Sequence, residues 1–232
     1  MLSSAAINLF NIFFPNTCAG CGNSLSQNEK SICLTCLEKL PQTHYHKTAE
    51  NPIVQKFWGR VPLEFAAAFY FQNKNNITQR LIHQLKYKGK TAIGNELGEI
   101  IGYHLQQKNT LFPKIDAIIP LPLHPAKEQK RGYNQCQFIA EGIAAILNVP
   151  VYNDVVARVI ANVSQTQKDK FGRWENVAGI FTVTKPEKIK NKQLLLIDDV
   201  VTTGSTIESC ATAILSVPDT KLSVLTLAFP QE

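Results

Sequence analysis

The sequence predicts an α/β domain built on a mostly parallel sheet and preceded by a small cysteine-rich module. Three observations carry that prediction. Beyond residue 50, strand-like and helix-like patterns alternate, as they do when helices cover a sheet. The late runs Leu194-Leu-Leu-Ile and Leu222-Ser-Val-Leu-Thr-Leu-Ala-Phe are almost continuously apolar, as parallel strands covered on both faces must be. Ahead of them, four of the six cysteines are paired as Cys18-Ala-Gly-Cys21 and Cys33-Leu-Thr-Cys36. The module is expected over 1–48 and the α/β domain over 49–232.

The first element is a short amphipathic helix, with Leu2, Ala6, Leu9, Phe10 and Phe13 near one face. Its apolar stretch from Ala5 to Phe14 lacks a basic region before it and a small-residue cleavage site after it, which argues against a secretory signal. No run approaches the ~18 apolar residues of a membrane-spanning helix. With 44% hydrophobic and 18% charged residues the chain reads as a soluble globular protein, expected in the cytoplasm and not inserted in a membrane.

Two Cys-x-x-Cys knuckles suit one tetrahedral ion, since each tight turn presents two thiolates to the same centre. Cys18, Cys21, Cys33 and Cys36 are therefore expected to hold a structural zinc. The 11 residues between Cys21 and Cys33 predict a small ribbon with a short hairpin between the knuckles. Local disulfides, free thiols or a redox pair are the alternatives. Four thiolates close the shell and leave no position for water, so the zinc staples a fragment too small to hold its own core. His44 and His46 are left as surface histidines, and Cys136 and Cys210 as small buried hydrophobes.

After the module come an edge or hood strand in 61–72, helices in 76–88 and 91–107, and a strand near 115–119. A helix in 134–147, strands near 155–160, 179–183 and 194–198, a helix in 205–216 and a strand near 222–228 complete the order. The polar stretch 161–176 between strands has the character of a functional lid or a mobile surface loop.

The net charge of +6 is uneven. Residues 1–50 balance, whereas residues 51–100 carry seven basic and three acidic side chains, with Lys86, Lys88 and Lys90 in Lys-Tyr-Lys-Gly-Lys. Such an excess suits a polyanion, either a phosphorylated small molecule or a nucleic acid, or else a solvated basic face. Tyr87 stands among the lysines, placed to stack a base or to be buried beside a helix end.

The most informative segment is Leu194-Leu-Leu-Ile-Asp198-Asp199-Val-Val-Thr202-Thr203-Gly204-Ser205-Thr206. A buried strand ends in two carboxylates, and a loop of hydroxyl residues and glycine opens a helix. That places a site at the carboxyl end of a parallel strand, where α/β ligands bind. The unpaired N–H groups of the helix start form a nest for a phosphate, and the carboxylates can accept hydrogen bonds from vicinal sugar hydroxyls. Neighbouring strand residues face opposite ways, so both carboxylates reach one ribose only if the strand has already turned there.

That 13-residue run resembles the phosphoribosyl pyrophosphate (PRPP) fingerprint of type I phosphoribosyltransferases. Ile119-Pro-Leu-Pro-Leu-His-Pro-Ala-Lys-Glu-Gln-Lys-Arg-Gly-Tyr-Asn-Gln is similar to the central motif of the ComF family, whose members carry a cysteine-rich zinc module before such a domain. Leu-Ile-His-Gln-Leu-Lys-Tyr-Lys-Gly at 81–89 and the Arg158, Gln167, Arg173, Asn176 pattern are also similar to that family, and the resemblance covers nearly the whole chain.

The resemblance implies a type I phosphoribosyltransferase fold in which Asp198 and Asp199 serve the ribose hydroxyls and Thr202, Thr203, Gly204, Ser205 and Thr206 wrap the 5-phosphate. It implies a pyrophosphate loop from Pro120 to Pro125, including Leu121 and Pro122, which in such enzymes commonly holds a cis peptide. Lys86, Lys88, Lys127 and Arg131 are implied partners of pyrophosphate, with Mg²⁺ bridging its oxygens. Arg131, Lys168 and Arg173 are the expected catalytic cations, the last two on the 161–176 lid, where Lys170 joins them. The implied reaction is transfer of a phosphoribosyl group to an unidentified acceptor with release of pyrophosphate. The other implied role is a non-catalytic PRPP sensor that binds single-stranded DNA or a partner such as a DNA-translocating competence ATPase, in line with the family's association with DNA uptake.

Overall fold

The computed structural model describes residues 16–159 and 180–231. The helix expected at the N-terminus and the 161–176 stretch, with Lys168, Lys170 and Arg173, lie outside the described residues.

Four strands, β1 (Phe65–Gln72), β2 (Ala117–Pro120), β5 (Gln193–Val200) and β6 (Lys221–Pro230), form one parallel sheet in the order β1-β6-β5-β2. The two continuously apolar runs are β5 and β6, and they take the central places of a sheet whose two faces are both covered. β1 forms the edge, as expected, but begins at Phe65. The chain before it is tied back, with Val61 N–H donating to the Phe57 carbonyl, and Pro62 has no N–H to give a ladder.

Alternation along the strands divides the core in two. Leu195, Ile197, Leu225 and Leu227 face α3 (Ile77–Tyr87), α4 (Ala92–Leu105) and α6 (Gln135–Leu147). Leu194, Leu196, Leu222 and Val224 face α2 (Pro52–Phe57) and α7 (Ser205–Leu215). Helices α4 and α6 touch backbone to backbone. A Cβ on Gly98 would stand 2.3 Å from the Ile139 carbonyl oxygen, and one on Gly142 would stand 2.2 Å from that of Asn95. A short helix absent from the sequence reading, α5 (Pro125–Arg131), follows β2; the His124 imidazole caps it and Gly132, at φ 82°, ends it. The strands expected near 155–160 and 179–183 are β3 (Val156–Arg158) and β4 (Phe181–Val183), a separate antiparallel pair.

The cysteine module differs from the expected ribbon in one respect. Its β-bridge, Thr17 to Ser24, encloses the first knuckle, and the second opens α1 (Leu34–Glu38), so no hairpin separates them. The module lies on the α/β domain, where Cys18, Ala19, Ile32, Cys36 and Leu40 join the core beneath α3 and α4. Arg80 Nε donates to the Gly20 carbonyl at 2.7 Å, Gln84 donates to that of Ala19, and the Ser31 N–H donates to Glu96 at 2.8 Å.

His46 corrects the surface reading, for it is 1% exposed. Its ring stacks on Phe69 and meets His104 edge-on, inside an aromatic cluster where a neutral imidazole packs as a flat apolar plate. Every described peptide bond is trans, including those of the Pro120 to Pro125 loop, so the cis bond implied for that loop is absent.

Candidate functional site

Asp198 and Asp199 both lie within β5, which extends to Val200, so the strand has not turned at the pair. Asp199 continues the face of Leu195 and Ile197 and meets α3 and α6. There Lys86 Nζ stands 2.7 Å from Oδ1, and the Gln135 amide donates to Oδ2. Asp198 starts on the other face, but its Oδ1 accepts the Asp199 N–H at 2.8 Å and the Cys136 thiol at 3.5 Å. The two carboxylates and the thiol thereby present ligand atoms within 4.8 Å of one another. Burial and then the Asp199 charge push the Asp198 carboxyl up to about 7. Burial and both aspartates likewise push the Cys136 thiol up, which keeps it a donor. Cys136 is buried as expected but also contacts the acidic pair; Cys210, on α7, is buried in the core on that face of the sheet.

After Val201, Thr202 and Thr203 are exposed and Gly204, at φ 80°, opens α7. Only glycine suits this position, because a Cβ would also stand 3.0 Å from the Phe57 ring. Thr203 Oγ1 and Ser205 Oγ lie 3.0 Å apart at the helix start. Arg60, which carried no sequence signal, donates to the Thr203 carbonyl at 3.3 Å and pairs with Glu208.

On the other side of Lys86 opens a cleft of about 450 Å³, lined by Lys86, Tyr87, Gly89, Lys127, Lys130, Arg131 and Tyr133. Among the described residues four cations line it and no acidic side chain does. The Arg131 guanidinium lies 5.4 Å from the centre of the Tyr87 ring and donates to Gln135 Oε1. Tyr87 is not buried beside its helix but 65% exposed. Leu121 is buried and joins the site through its backbone: its N–H donates to the Ile197 carbonyl at 2.8 Å, and its carbonyl accepts from Asn134 at 2.9 Å. Pro122 follows, half-buried.

The structure thus brings Lys86, Lys127 and Arg131 to one cleft beside Asp199, while Lys88 is exposed and does not line it. Lys130, Tyr133 and Gln135 were not singled out in the sequence, although they stand in its quoted 119–135 motif. Their signal was their place in that motif alone, because the Arg131 to Gln135 contact runs from the end of α5 to the start of α6, where no helical spacing marks it.

Among the described residues two sets could hold metals. Cys18, Cys21, Cys33 and Cys36 present sulfurs within 4.8 Å of one another, with Cys21 and Cys33 Sγ 3.7 Å apart. Ligands ~2.3 Å from a tetrahedral zinc stand ~3.8 Å apart, so the donor set fits zinc. Burial pushes the Cys18 thiol up, but N–H groups of Cys33, Cys21 and Gly20 outweigh it and bring it to about 7, favouring a thiolate. At the acidic pair, carboxylate oxygens suit Mg²⁺, whereas the protonated Cys136 thiol does not.

No family model matches the chain. It is 29% identical over 130 residues to Competence protein F of Haemophilus influenzae, covering 55% of this chain and 57% of that one. It is 25% identical over 200 residues to the DNA utilization protein YhgH of Escherichia coli, covering 85% and 83%. It is 27% identical over 146 residues to Competence protein ComFC of Bacillus subtilis, covering 61% and 55%. The chain therefore spans little more than half the length of two of these three relatives. A similar solved structure is the glutamine PRPP amidotransferase of B. subtilis, 13% identical, covering 62% of this chain and 30% of that one, TM-score 0.43. Another is the purine phosphoribosyltransferase of Pyrococcus horikoshii, 16% identical, covering 61% and 75%, TM-score 0.34.

Proposed function

We propose that this chain, a homologue of Competence protein F, ComFC and YhgH, binds PRPP with Mg²⁺ in the cytoplasm and transfers its phosphoribosyl group to an acceptor in support of DNA uptake. The observation that carries the reading is the junction of two chemistries at Lys86: an acidic pair on its Asp199 side and a four-cation cleft on the other. A diol with a diphosphate on the neighbouring carbon asks for that neighbourhood.

In this reading Asp198 and Asp199 accept from the ribose hydroxyls, and the N–H groups and hydroxyls of 202–206 receive the 5-phosphate at the start of α7. Lys86, Lys127 and Arg131 take the pyrophosphate, joined by Lys130, with Leu121 and Pro122 shaping the loop beside it. Bound Mg²⁺ supplies charge neutralisation for pyrophosphate oxygens. As the bond from the anomeric carbon to pyrophosphate breaks, its electron pair leaves with pyrophosphate and the acceptor's lone pair forms the new bond. Fixed cations where negative charge grows lower that barrier. Lys168 and Arg173 belong to the same proposal as lid cations, and Lys88 as an outer one.

Calorimetry with PRPP and magnesium should show saturable binding, and replacing both Asp198 and Asp199 by Asn should weaken it at least ~10-fold, about 1.4 kcal/mol. Absence of heat from the unaltered protein overturns the reading.

The names of the homologues and the exposed Tyr87 among cations favour a second reading, in which the site senses PRPP and the basic face binds single-stranded DNA beside a translocating ATPase. Single-strand affinity should then fall with salt with a slope of roughly −0.7 per neutralised phosphate.

A further inference from the structure

Gln135 is 3% exposed and stands between the two halves of the site. Its amide nitrogen donates to Asp199 Oδ2 and its amide oxygen accepts from Arg131 Nη1. The same nitrogen lies 3.5 Å from Cys136 Sγ. Asp199 is held on its other oxygen by Lys86, and the Arg131 guanidinium lies over Tyr87. One neutral side chain thus joins the acidic pair to the cationic cleft.

The chemistry of the amide makes the choice of residue specific. A carboxylate needs a donor and a guanidinium needs an acceptor, and a primary amide offers one of each at opposite ends of a rigid plane. A carboxylate in its place would face Asp199 with like charge. An apolar side chain would leave Asp199 short of a donor in a buried place. Asparagine has the same groups on a stem one carbon shorter, which does not span both partners. The backbone beneath the glutamine is also fixed, since Asn134 caps α6 through the Cys136 N–H at 3.0 Å.

We propose that Gln135 is a positioning residue that sets the distance between Asp199 and Arg131, so that a ligand carrying both a diol and a diphosphate is gripped as one body. The inference rests on the PRPP reading and deepens it by naming what selects the whole ligand over its parts. Two grips held at fixed separation act as a chelate: the second engages at high effective concentration once the first has closed. If the separation wanders, each grip still works alone and the gain from joining them is lost.

Three probes separate these terms: ribose 5-phosphate for the acidic pair and hydroxyl loop, inorganic pyrophosphate for the cleft, and PRPP for both, each titrated calorimetrically with magnesium. Gln135→Leu should weaken PRPP at least ~10-fold and either part less than ~3-fold. Gln135→Asn should do the same and provides the measurement if the leucine variant fails to fold. In a double-mutant cycle, Gln135→Leu added to Arg131→Leu should cost PRPP less than ~3-fold further, because the coupling has already been cut. Equal loss for all three probes marks a merely structural role and overturns the inference, as does an unchanged PRPP affinity. Binding of the two parts but not of PRPP by the unaltered protein overturns it as well. Binding of none of the three overturns the PRPP reading itself, and the inference falls with it.

Discussion

The Lys86 ammonium lies 2.7 Å from Asp199 Oδ1, joining the end of α3 to the end of β5. The lysine side chain is 19% exposed and that of Asp199 7%, so both charges have left most of their water. A pair in such a place contributes little net stability, because desolvation offsets attraction, yet removing one partner leaves the other uncompensated. Lys86→Ala should therefore destabilise the fold by about 1–3 kcal/mol in chemical denaturation. It should also weaken PRPP at least ~10-fold, whereas Lys88→Ala, outside the cleft, should cost less than ~3-fold. Equal effects of the two variants, or loss of DNA binding alone, would count against the assignment of Lys86 to pyrophosphate.

Metal analysis should give close to one zinc per chain. Cys33→Ser should loosen the cysteine module and, because Arg80 and Gln84 of α3 hold its carbonyls, speed amide exchange through α3 as well. Exchange that rises in the module alone would show that its seat on α3 has no mechanical consequence.

Stability should decline in mild acid through His46. Burial holds its imidazole down to about 4, with His104, Lys47 and His44 adding to the effect, and neither ring nitrogen has a partner among the described residues. The unfolded ring takes a proton near pH 6.5 and the folded ring only near 4, so the unfolded chain binds more protons between them. The stabilisation is whole above about pH 6.5 and lost as pH falls towards 4, a change on the order of 3 kcal/mol. Asp198, held up to about 7, titrates in the opposite sense over the same range, so the His46 contribution is read as a difference: in thermal melts from pH 7.5 to 4.5 the parent should lose stability relative to His46→Phe as the pH falls.

Gly204→Ala tests the hydroxyl loop. The new Cβ meets both a positive φ and the Phe57 ring, so folding should weaken by about 1–3 kcal/mol. Ribose 5-phosphate should bind less well, while pyrophosphate should bind as before. A variant with unchanged melting and unchanged sugar-phosphate affinity would show that the loop tolerates another conformation.

What was legible beforehand followed from abrupt changes along the chain. The run Leu194 to Ile197 stops in two acids, and no buried strand does that without a reason, so strand and site were visible together. The paired cysteines were visible in the same way. Gln135 was not, because a neutral amide leaves no mark in a charge pattern and its partners are set by how α6 lies over β5. Lys86 was legible as a cation, but its pairing with Asp199 joins positions 113 apart and depends on the strand order. α5 escaped because seven residues between Pro125 and Gly132 give too few turns for a periodic signal. His46 escaped because a polar ring amid aromatics has the same composition as a surface turn.

The backbone contact of Gly98 with Gly142 has a thermodynamic consequence for the site. With no side chains between them, α4 and α6 form a single stiff plate, and the first residue of α6 is Gln135. The floor of the site is thus assembled before any ligand arrives, and adjustment falls to the lysine and arginine side chains of the cleft. Freezing each buried lysine costs about 1.5–2 kcal/mol of rotamer entropy. Association at this site is therefore expected to be favourable in heat, unfavourable in entropy and accompanied by only a small change in heat capacity.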